Sequence, residues 1–268
     1  MIALASIYTD WQSHAPIVRS GDGRVLKVGW ANTSPLPSMV PRHGASGFIQ
    51  GGMDFYIVNA AAAELGWRVE WVPGTWAKLL ADLKSGQIDA LAQATQTQQR
   101  QAFAHFSQPY FQTTYAIFTR RENTSSTPFR GSVPTLEALV KDTERGALRT
   151  GVIKGYADPS AVQALIDNAD IRPVEFGSEQ QALRGVAHHD VDWYVTHMLE
   201  GAVVMQRDAQ LSRQLHMEPL TGLAAYSYVM FSKATVTLPE VAEFNKSLQA
   251  LKDNGQDSRI VRSEYYPA

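Results

Sequence analysis

The chain has 268 residues and a formal net charge of −2; 44% of its residues are hydrophobic and 19% are charged. This composition predicts a folded protein with one large or two moderate cores, and it excludes extensive disorder. The nearly balanced charge gives no basis for a nucleic-acid-binding surface, and the absence of cysteine excludes disulfides, cysteine-ligated zinc and a thiol nucleophile.

The N-terminus allows two interpretations. Ala3-Leu4-Ala5 followed by Ser6 resembles the small-residue end of a signal peptide. Met1–Ser6 has no basic region, however, so an ordinary tail fits as well. The longest apolar stretch, around Tyr56–Leu65, is too short to cross a bilayer.

The first half of the chain alternates strands and helices. An Ala-rich helix is predicted over Met53–Leu65, ending at Gly66, and a second over Trp76–Lys84, where Leu79 and Leu83 share a face with Trp76. The predicted strands of this half are Val25–Trp30, Arg68–Val72 and Ile88–Ala92.

The second half repeats this alternation, which predicts an α/β fold with ligands at the carboxyl ends of largely parallel strands. Its predicted strands are Thr150–Ile153, Arg172–Glu175 and Val191–Val195, and its predicted helices are Asp158–Asn168 and Ser178–Ala187. Two further β-rich runs, Thr114–Thr119 and Tyr226–Ser232, flank this half.

Several motifs together resemble family 3 of the extracellular solute-binding proteins. SGQIDA at Ser85–Ala90 is followed by TQTQQR at Thr95–Arg100 and by FSQPY at Phe106–Tyr110, where the family has SGxIDA, TxxxER and FSxPY. GVIKGYAD at Gly151–Asp158 and the stretch Leu238–Gly255 extend the resemblance, which runs from about Val25 to the C-terminus.

The resemblance implies a periplasmic-binding-protein-like (type II) Venus flytrap, in which two α/β lobes close around a small solute. Lobe 1 would consist of residues 1–118 and 226–268, and lobe 2 of the inserted residues 119–225. The two β-rich runs would then be hinge crossings.

Arg100 is the first candidate site residue. Thr97 is suited to cap a helix that begins near Gln98, and an arginine on its first turn can hold a carboxylate with two parallel hydrogen bonds. The resembling family uses the arginine of this motif for the ligand's α-carboxylate. Thr95 ends the preceding strand, and strand alternation predicts that Gln93 points to the same face.

Aromatic residues supply further candidates for ligand binding. Trp76 starts a helix where the family often has an apolar or aromatic wall, and Trp30 and Ser34 lie at the exit of the first strand. Core packing is the competing interpretation for both tryptophans. Tyr156 follows Gly155 in a turn where the family contacts ligand.

The sequence also departs from the family of transport-type amino-acid binders. These usually have an Asp for the ligand's α-amino group at the position aligned with His197, and a neutral or protonated imidazole is a poor substitute for a carboxylate. Asp158 and Glu200 are the candidate replacements. The segment from Asp89 to Arg100 is one residue shorter than in many transport-type members and looks more like the flytrap domains of sensor kinases.

The sequence therefore predicts a monomeric, periplasmic or otherwise extracytoplasmic protein that binds an amino acid or related carboxylate and delivers it to the membrane permease of an ABC transporter. A sensory domain of a membrane receptor and a cleft enzyme are the alternatives. No acid–base pair indicates catalysis, no cofactor is implied, and the adjacent His188-His189-Asp190 is a weak basis for a metal site.

Overall fold

The computed structural model of the chain describes residues 23–31, 42–44, 47–49, 52–121 and 148–265. The chain forms two compact units. Of the described residues, unit 1 contains those up to Phe111 and those from Ser227 onward, and unit 2 contains those from Gln112 to Tyr226. The chain therefore passes between the units twice. The hinge role and the lobe boundaries expected from the resemblance stay predictions.

Strands and helices alternate through both units. The strands are β1 Val25–Ala31, β2 Arg42–Gly44, β3 Gly47–Ile49, β4 Arg68–Gly74, β5 Ala90–Ala94, β6 Ala104–Phe106, β7 Phe111–Arg120, β8 Leu148–Ile153, β9 Ile171–Phe176, β10 Trp193–His197 and β11 Leu215–Ser232. The helices are α1 Met53–Glu64, α2 Trp76–Ser85, α3 Gln98–Gln101, α4 Ser160–Asp167, α5 Glu179–Ala187, α6 Met198–Arg207, α7 Ala209–Gln214, α8 Leu238–Asp253 and α9 Gln256–Tyr265. None of the described helices combines the length and apolar character that a membrane span needs.

The two units build their parallel strands in the same order. In unit 1, β1 lies between β4 and β5 and is parallel to both. In unit 2, β8 lies between β9 and β10 and is parallel to both. Each trio then has an antiparallel neighbour, which is β11 beside β5 and β7 beside β10. The βαβ alternation seen in the sequence is thus confirmed in both halves.

Two aspartates occupy equivalent places in these trios. The Asp89 carboxylate accepts a hydrogen bond from the backbone N–H of Lys27 at 2.8 Å, and the Asp192 carboxylate accepts one from Arg149 at 2.8 Å. In return, the backbone N–H of each aspartate donates to the carbonyl of the same partner residue at 2.9 Å. Both aspartates therefore have a structural role at the start of their strands.

Two strand predictions were displaced next to these aspartates. Strands were expected over Ile88–Ala92 and Val191–Val195, but β5 and β10 each begin two residues later. Before β5, the N–H groups of Gln87 and Ile88 bond to the carbonyl of Asp82. Before β10, those of Asp190 and Val191 bond to the carbonyl of Gly185, so the residues before each strand belong to turns. Hydrophobicity alone did not separate these buried turn residues from the strands that follow them.

The core of unit 1 surrounds α1, which packs against α8 and α9. The predicted stop of α1 is confirmed, since Leu65 caps the helix and Gly66 has φ +70°. Trp30 is half-buried and packs against this core, as the competing interpretation of that residue expected. Ser34 lies outside the described residues.

The core of unit 2 requires a very close approach of α6 to β7. Gly201 of α6 is buried, and a Cβ atom placed on it would lie 2.1 Å from Cζ of the fully buried Phe118. Only glycine fits at this contact. The approach matters for the site because α6 carries Glu200 and is preceded by His197.

We expect Gly201→Ala to lower the free energy of unfolding by about 2 kcal/mol, because overpacking a buried contact outweighs the gain in helix propensity. Urea denaturation measures this change. Phe118→Leu provides the matched control. Because its side chain is smaller, the double variant should lose less stability than the sum of the losses of the two single variants. A Gly201→Ala variant as stable as wild type would contradict the close packing of α6 on β7.

Candidate functional site

The end of β5 is irregular where it pairs with β11. Tyr228 lies opposite Ala94 and Met230 lies opposite Leu91, so two residues of β5 face the single Val229 of β11. This arrangement is a β-bulge, and bulges redirect the side chains that follow them. Gln93 is one of the two bulged residues, and its φ of +58° lies in the left-handed region.

The bulge makes the alternation argument for Gln93 wrong. Alternation places Gln93 and Thr95 on one face only if the backbone is extended at both positions. The left-handed Gln93 interrupts the extended conformation, and β5 ends at Ala94. Both side chains are nonetheless partly exposed at the end of the strand, so both remain candidates for contacting a ligand.

The backbone of Gln93 is held by a side chain from a distant part of the chain. Its N–H donates to the hydroxyl oxygen of Tyr110 at 3.0 Å. The Tyr110 hydroxyl in turn donates to Oδ1 of Asp54 on the first turn of α1. Tyr110 is 4% exposed and Asp54 is completely buried. Tyr110 was recognisable from the sequence only as part of a motif, and Asp54 was overlooked.

Arg100 follows the bulge on the single turn of α3. The expected cap is confirmed, because Thr97 accepts a hydrogen bond from the Arg100 N–H at 3.2 Å. Nη1 of Arg100 donates to the carbonyl oxygen of Thr95 at 2.8 Å, and its guanidinium carbon lies 5.3 Å from the centre of the Trp76 ring. The guanidinium is therefore oriented both by a carbonyl and by an aromatic ring.

This arrangement brings together three of the predicted site residues in unit 1: Thr95, Trp76 and Arg100. Arg100 is only 6% exposed, so its permanent charge lies in surroundings where electrostatic interactions are stronger than in water. A carboxylate is the group that a planar guanidinium complements best. Since α3 has four residues, the charge of Arg100 rather than a helix dipole would provide the attraction.

In unit 2, Tyr156 and Asp158 lie between β8 and α4. Gly155 has φ +79°, which lets the chain turn, and the N–H of Tyr156 donates to the carbonyl of Ile153 at 2.9 Å. Tyr156 is half-buried against the core of this unit. Burial raises the pKa of Asp158 to about 6, so its carboxylate changes charge near neutral pH.

His197 and Glu200 lie side by side at the start of α6. Nδ1 of His197 is 3.6 Å from Oε1 of Glu200, and the His197 ring centre is 5.0 Å from that of Tyr115. The side chains of His197 and Glu200 are 16% and 10% exposed, respectively. An acidic group thus stands beside the position where an aspartate was expected.

A second buried glutamate was not recognised from the sequence. Glu179 on α5 is 1% exposed and accepts a hydrogen bond from the Thr196 hydroxyl at 2.7 Å. Burial, together with the charge of Glu200 and a hydrogen bond to it, raises the pKa of Glu179 well above its usual value. The spacing of Glu179 to Ala182, Leu183 and Val186 places it on the apolar face of α5, and this spacing was a usable signal.

The described residues contain no group of three or more His, Asp or Glu side chains placed to hold a metal ion. His189 has φ +66°, and its carbonyl accepts a hydrogen bond from Arg149, so the backbone around it forms a turn. The expectation that the protein needs no metal stays a prediction.

The chain matches the family model of the bacterial extracellular solute-binding proteins, family 3, over residues 26–265. A comparison with curated proteins found no match.

Several solved structures share the fold. A substrate-binding protein of an amino acid ABC transporter from Streptococcus pneumoniae, bound to L-arginine, is 17% identical, with a TM-score of 0.70 over 90% of this chain and 94% of that chain. A histidine kinase sensor domain is 22% identical, with a TM-score of 0.70 over 91% and 97% of the two chains. An ancestral amino-acid-binding protein, a precursor of cyclohexadienyl dehydratase, is 22% identical, with a TM-score of 0.65 over 90% and 95%. The expected type II flytrap fold is confirmed.

We expect the free energy of unfolding of Glu179→Gln to rise relative to that of wild type as the pH increases above about 4.5, the ordinary pKa of glutamate. The folded state keeps Glu179 protonated to a higher pH than the unfolded state does. Wild type therefore loses stability as the pH rises towards the raised pKa, whereas the neutral glutamine does not titrate. Urea denaturation from pH 4 to 8 measures the difference. Exposed Glu175→Gln controls for the loss of one carboxylate, and a Glu179→Gln gain that is independent of pH would contradict a buried, protonated Glu179.

Proposed function

The chain belongs to the bacterial extracellular solute-binding proteins, family 3, and on this basis we propose that it binds, and does not transform, a small solute with a carboxylate group, primarily an amino acid. One observation supports the carboxylate most directly. Arg100 is buried, permanently charged and oriented by the Thr95 carbonyl and the Trp76 ring. Holding an arginine in place before the ligand arrives reduces the ordering cost of binding.

An ammonium group on the ligand would need an acidic partner, because an unpaired buried charge is strongly disfavoured. His197 occupies the position where related proteins have an aspartate, but unit 2 contains two other acidic candidates, Asp158 and Glu200. Asp158 has a pKa of about 6 and is mostly ionised at pH 7. Glu200 lies beside His197 and shares its surroundings with Glu179. We propose Asp158 as the ammonium partner, since Glu200 already interacts with two neighbouring titratable groups.

Delivery of the solute to an ABC transporter permease is the cellular role that we favour. The family and the transporter-associated relative from Streptococcus pneumoniae support it, and it implies an extracytoplasmic location. Ligand sensing is the second candidate, supported by the sensor-kinase relative and by the short segment between Asp89 and Arg100. Uptake of a labelled amino acid by cells with and without this protein separates the two roles, because a sensor changes gene expression but does not supply the permease.

The experiment that tests carboxylate binding is a thermal-shift panel of the common L-amino acids followed by calorimetric titration. A compound that binds only the folded state raises the melting temperature. Arg100→Ala should then weaken binding by about 2–5 kcal/mol, which is roughly 30-fold to several-thousand-fold. Arg100→Lys should recover part of this loss, since an ammonium cannot form the two parallel bonds of a guanidinium.

Arg172→Ala is the matched control, because it also removes one arginine charge, but from an exposed position in unit 2 away from the Arg100 site. It should bind like wild type. If Arg100→Ala binds within about threefold of wild type, which is well under 1 kcal/mol, the carboxylate assignment fails.

The assignment of Asp158 predicts a specific pH dependence of amino-acid binding. An ammonium prefers the ionised carboxylate, so wild-type affinity should fall as the pH drops below about 6, the pKa of Asp158 in the folded protein. The decrease should approach about tenfold per pH unit. Asp158→Asn should bind more weakly at pH 7 and should lose this dependence between pH 5 and 7. Calorimetry across that range decides, and an unchanged pH profile in Asp158→Asn would exclude this role.

A further inference from the structure

The bulge at the end of β5 removes backbone groups from the sheet, and the segment Ser107–Tyr110 supplies their replacements. The N–H of Gln93 bonds to the Tyr110 hydroxyl at 3.0 Å, and the N–H of Val229 bonds to the Ser107 hydroxyl at 3.0 Å. Both Ser107 and Val229 are buried. Buried amides need acceptors, so these two hydroxyl groups lower the free-energy cost of forming the bulge.

We propose that Tyr110, fixed by Asp54, is a positioning residue for anion binding: it holds the bulge at Gln93 in the conformation that places the Thr95 carbonyl against the Arg100 guanidinium. This inference rests on the proposed function, because it concerns the arginine which that function uses.

Asp54 determines which way the Tyr110 hydroxyl points. The Gln93 N–H can only donate, so the Tyr110 oxygen accepts from it and the single hydroxyl proton goes to Oδ1 of Asp54. The lone pairs of the hydroxyl oxygen are then available to the Gln93 N–H. Asp54 lies on the first turn of α1 and is completely buried, so the acceptor of the hydroxyl proton is held in a fixed place.

Gln93 needs such a restraint because its backbone conformation is unfavourable. A left-handed φ is uncommon for residues other than glycine, asparagine and aspartate, and it persists only where the surroundings impose it. Without the Tyr110 hydroxyl, Gln93 would gain by returning to an extended conformation.

A change at Gln93 reaches Arg100 along a short path. Thr95 is two residues further along the chain, and its carbonyl accepts the bond from Nη1 of Arg100 at 2.8 Å. Rotation of the backbone at Gln93 would move this carbonyl. It would also move the start of α3, where Thr97 caps the Arg100 N–H. The guanidinium would then lose its fixed orientation over Trp76.

The segment that carries Tyr110 is itself firmly attached. The Gln108 N–H donates to Oδ1 of Asn245 at 2.7 Å, and Nζ of Lys252 donates to the Pro109 carbonyl at 2.6 Å. Both partners belong to α8 of the same unit. The contacts with α8 therefore fix the segment that carries Tyr110, and with it the hydroxyl group that bonds to the bulge.

The first test uses the protein without any added solute. Hydrogen exchange of the wild type and Tyr110→Phe is compared residue by residue. We expect Tyr110→Phe to accelerate exchange on the order of tenfold at the amides from Gln93 to Arg100, the size of one neutral hydrogen bond, with a smaller change elsewhere in unit 1. Phe244→Leu is the control, since Phe244 packs against Phe231 in the unit 1 core and its apolar ring takes part in none of these hydrogen bonds.

The second test measures L-arginine binding by calorimetry, or binding of whichever L-amino acid gave the largest thermal shift. Tyr110→Phe should weaken binding on the order of tenfold, the size of one neutral hydrogen bond. In a Gln93→Gly background the same substitution should cost clearly less, because glycine adopts the left-handed conformation without strain. A merely structural role for Tyr110 would give the same loss in both backgrounds. Asp54→Asn, which keeps an acceptor, should bind better than Asp54→Ala.

The outcomes separate the two proposals. If Tyr110→Phe accelerates exchange evenly across unit 1, as Phe244→Leu does, or if Gln93→Gly does not reduce its cost in affinity, the positioning role is overturned. If wild type binds no amino acid in the panel, the proposed function fails instead, and the exchange pattern alone decides whether Tyr110 fixes the bulge.

Discussion

A buried backbone amide must find an acceptor, and at the end of β5 this requirement is met by side chains rather than by a neighbouring strand. The bulge opposite Val229 leaves the chain in a left-handed turn at Gln93, which Tyr110 and Asp54 secure. The following residues then leave the sheet in a fixed direction. The location of Thr95, and with it the orientation of Arg100, depends on this one local departure from regular pairing.

The sequence predicted the alternation of elements well because periodic hydrophobicity and the helix stop at Gly66 have local causes. It also placed Thr97 as a cap correctly. It failed at Gln93, since a bulge depends on pairing with β11 more than 130 residues away and on a hydroxyl from Tyr110. The motif around Tyr110 was recognised by resemblance, but the hydrogen bonds that its hydroxyl group makes to Gln93 and Asp54 are visible only in the structure.

The candidate residues of the two units differ in electrostatic character. In unit 1, a permanently charged guanidinium is buried over an aromatic ring. In unit 2, burial raises the pKa of Asp158 and of Glu179, so that their charges depend on pH. Asp158 was found from its motif, but Glu179 was overlooked, because an acidic residue in the first turn of a helix is ordinarily a favourable exposed charge.

The paired aspartates Asp89 and Asp192 have a consequence for how each sheet assembles. Side chains in a strand repeat every two residues, so a slip of two positions preserves which side chains face the core and is hard to detect by hydrophobic burial alone. The carboxylates bond the amides of Lys27 and Arg149 only in the native alignment. Each carboxylate thus adds one side-chain bond to the backbone pairing, at the point where β5 and β10 begin.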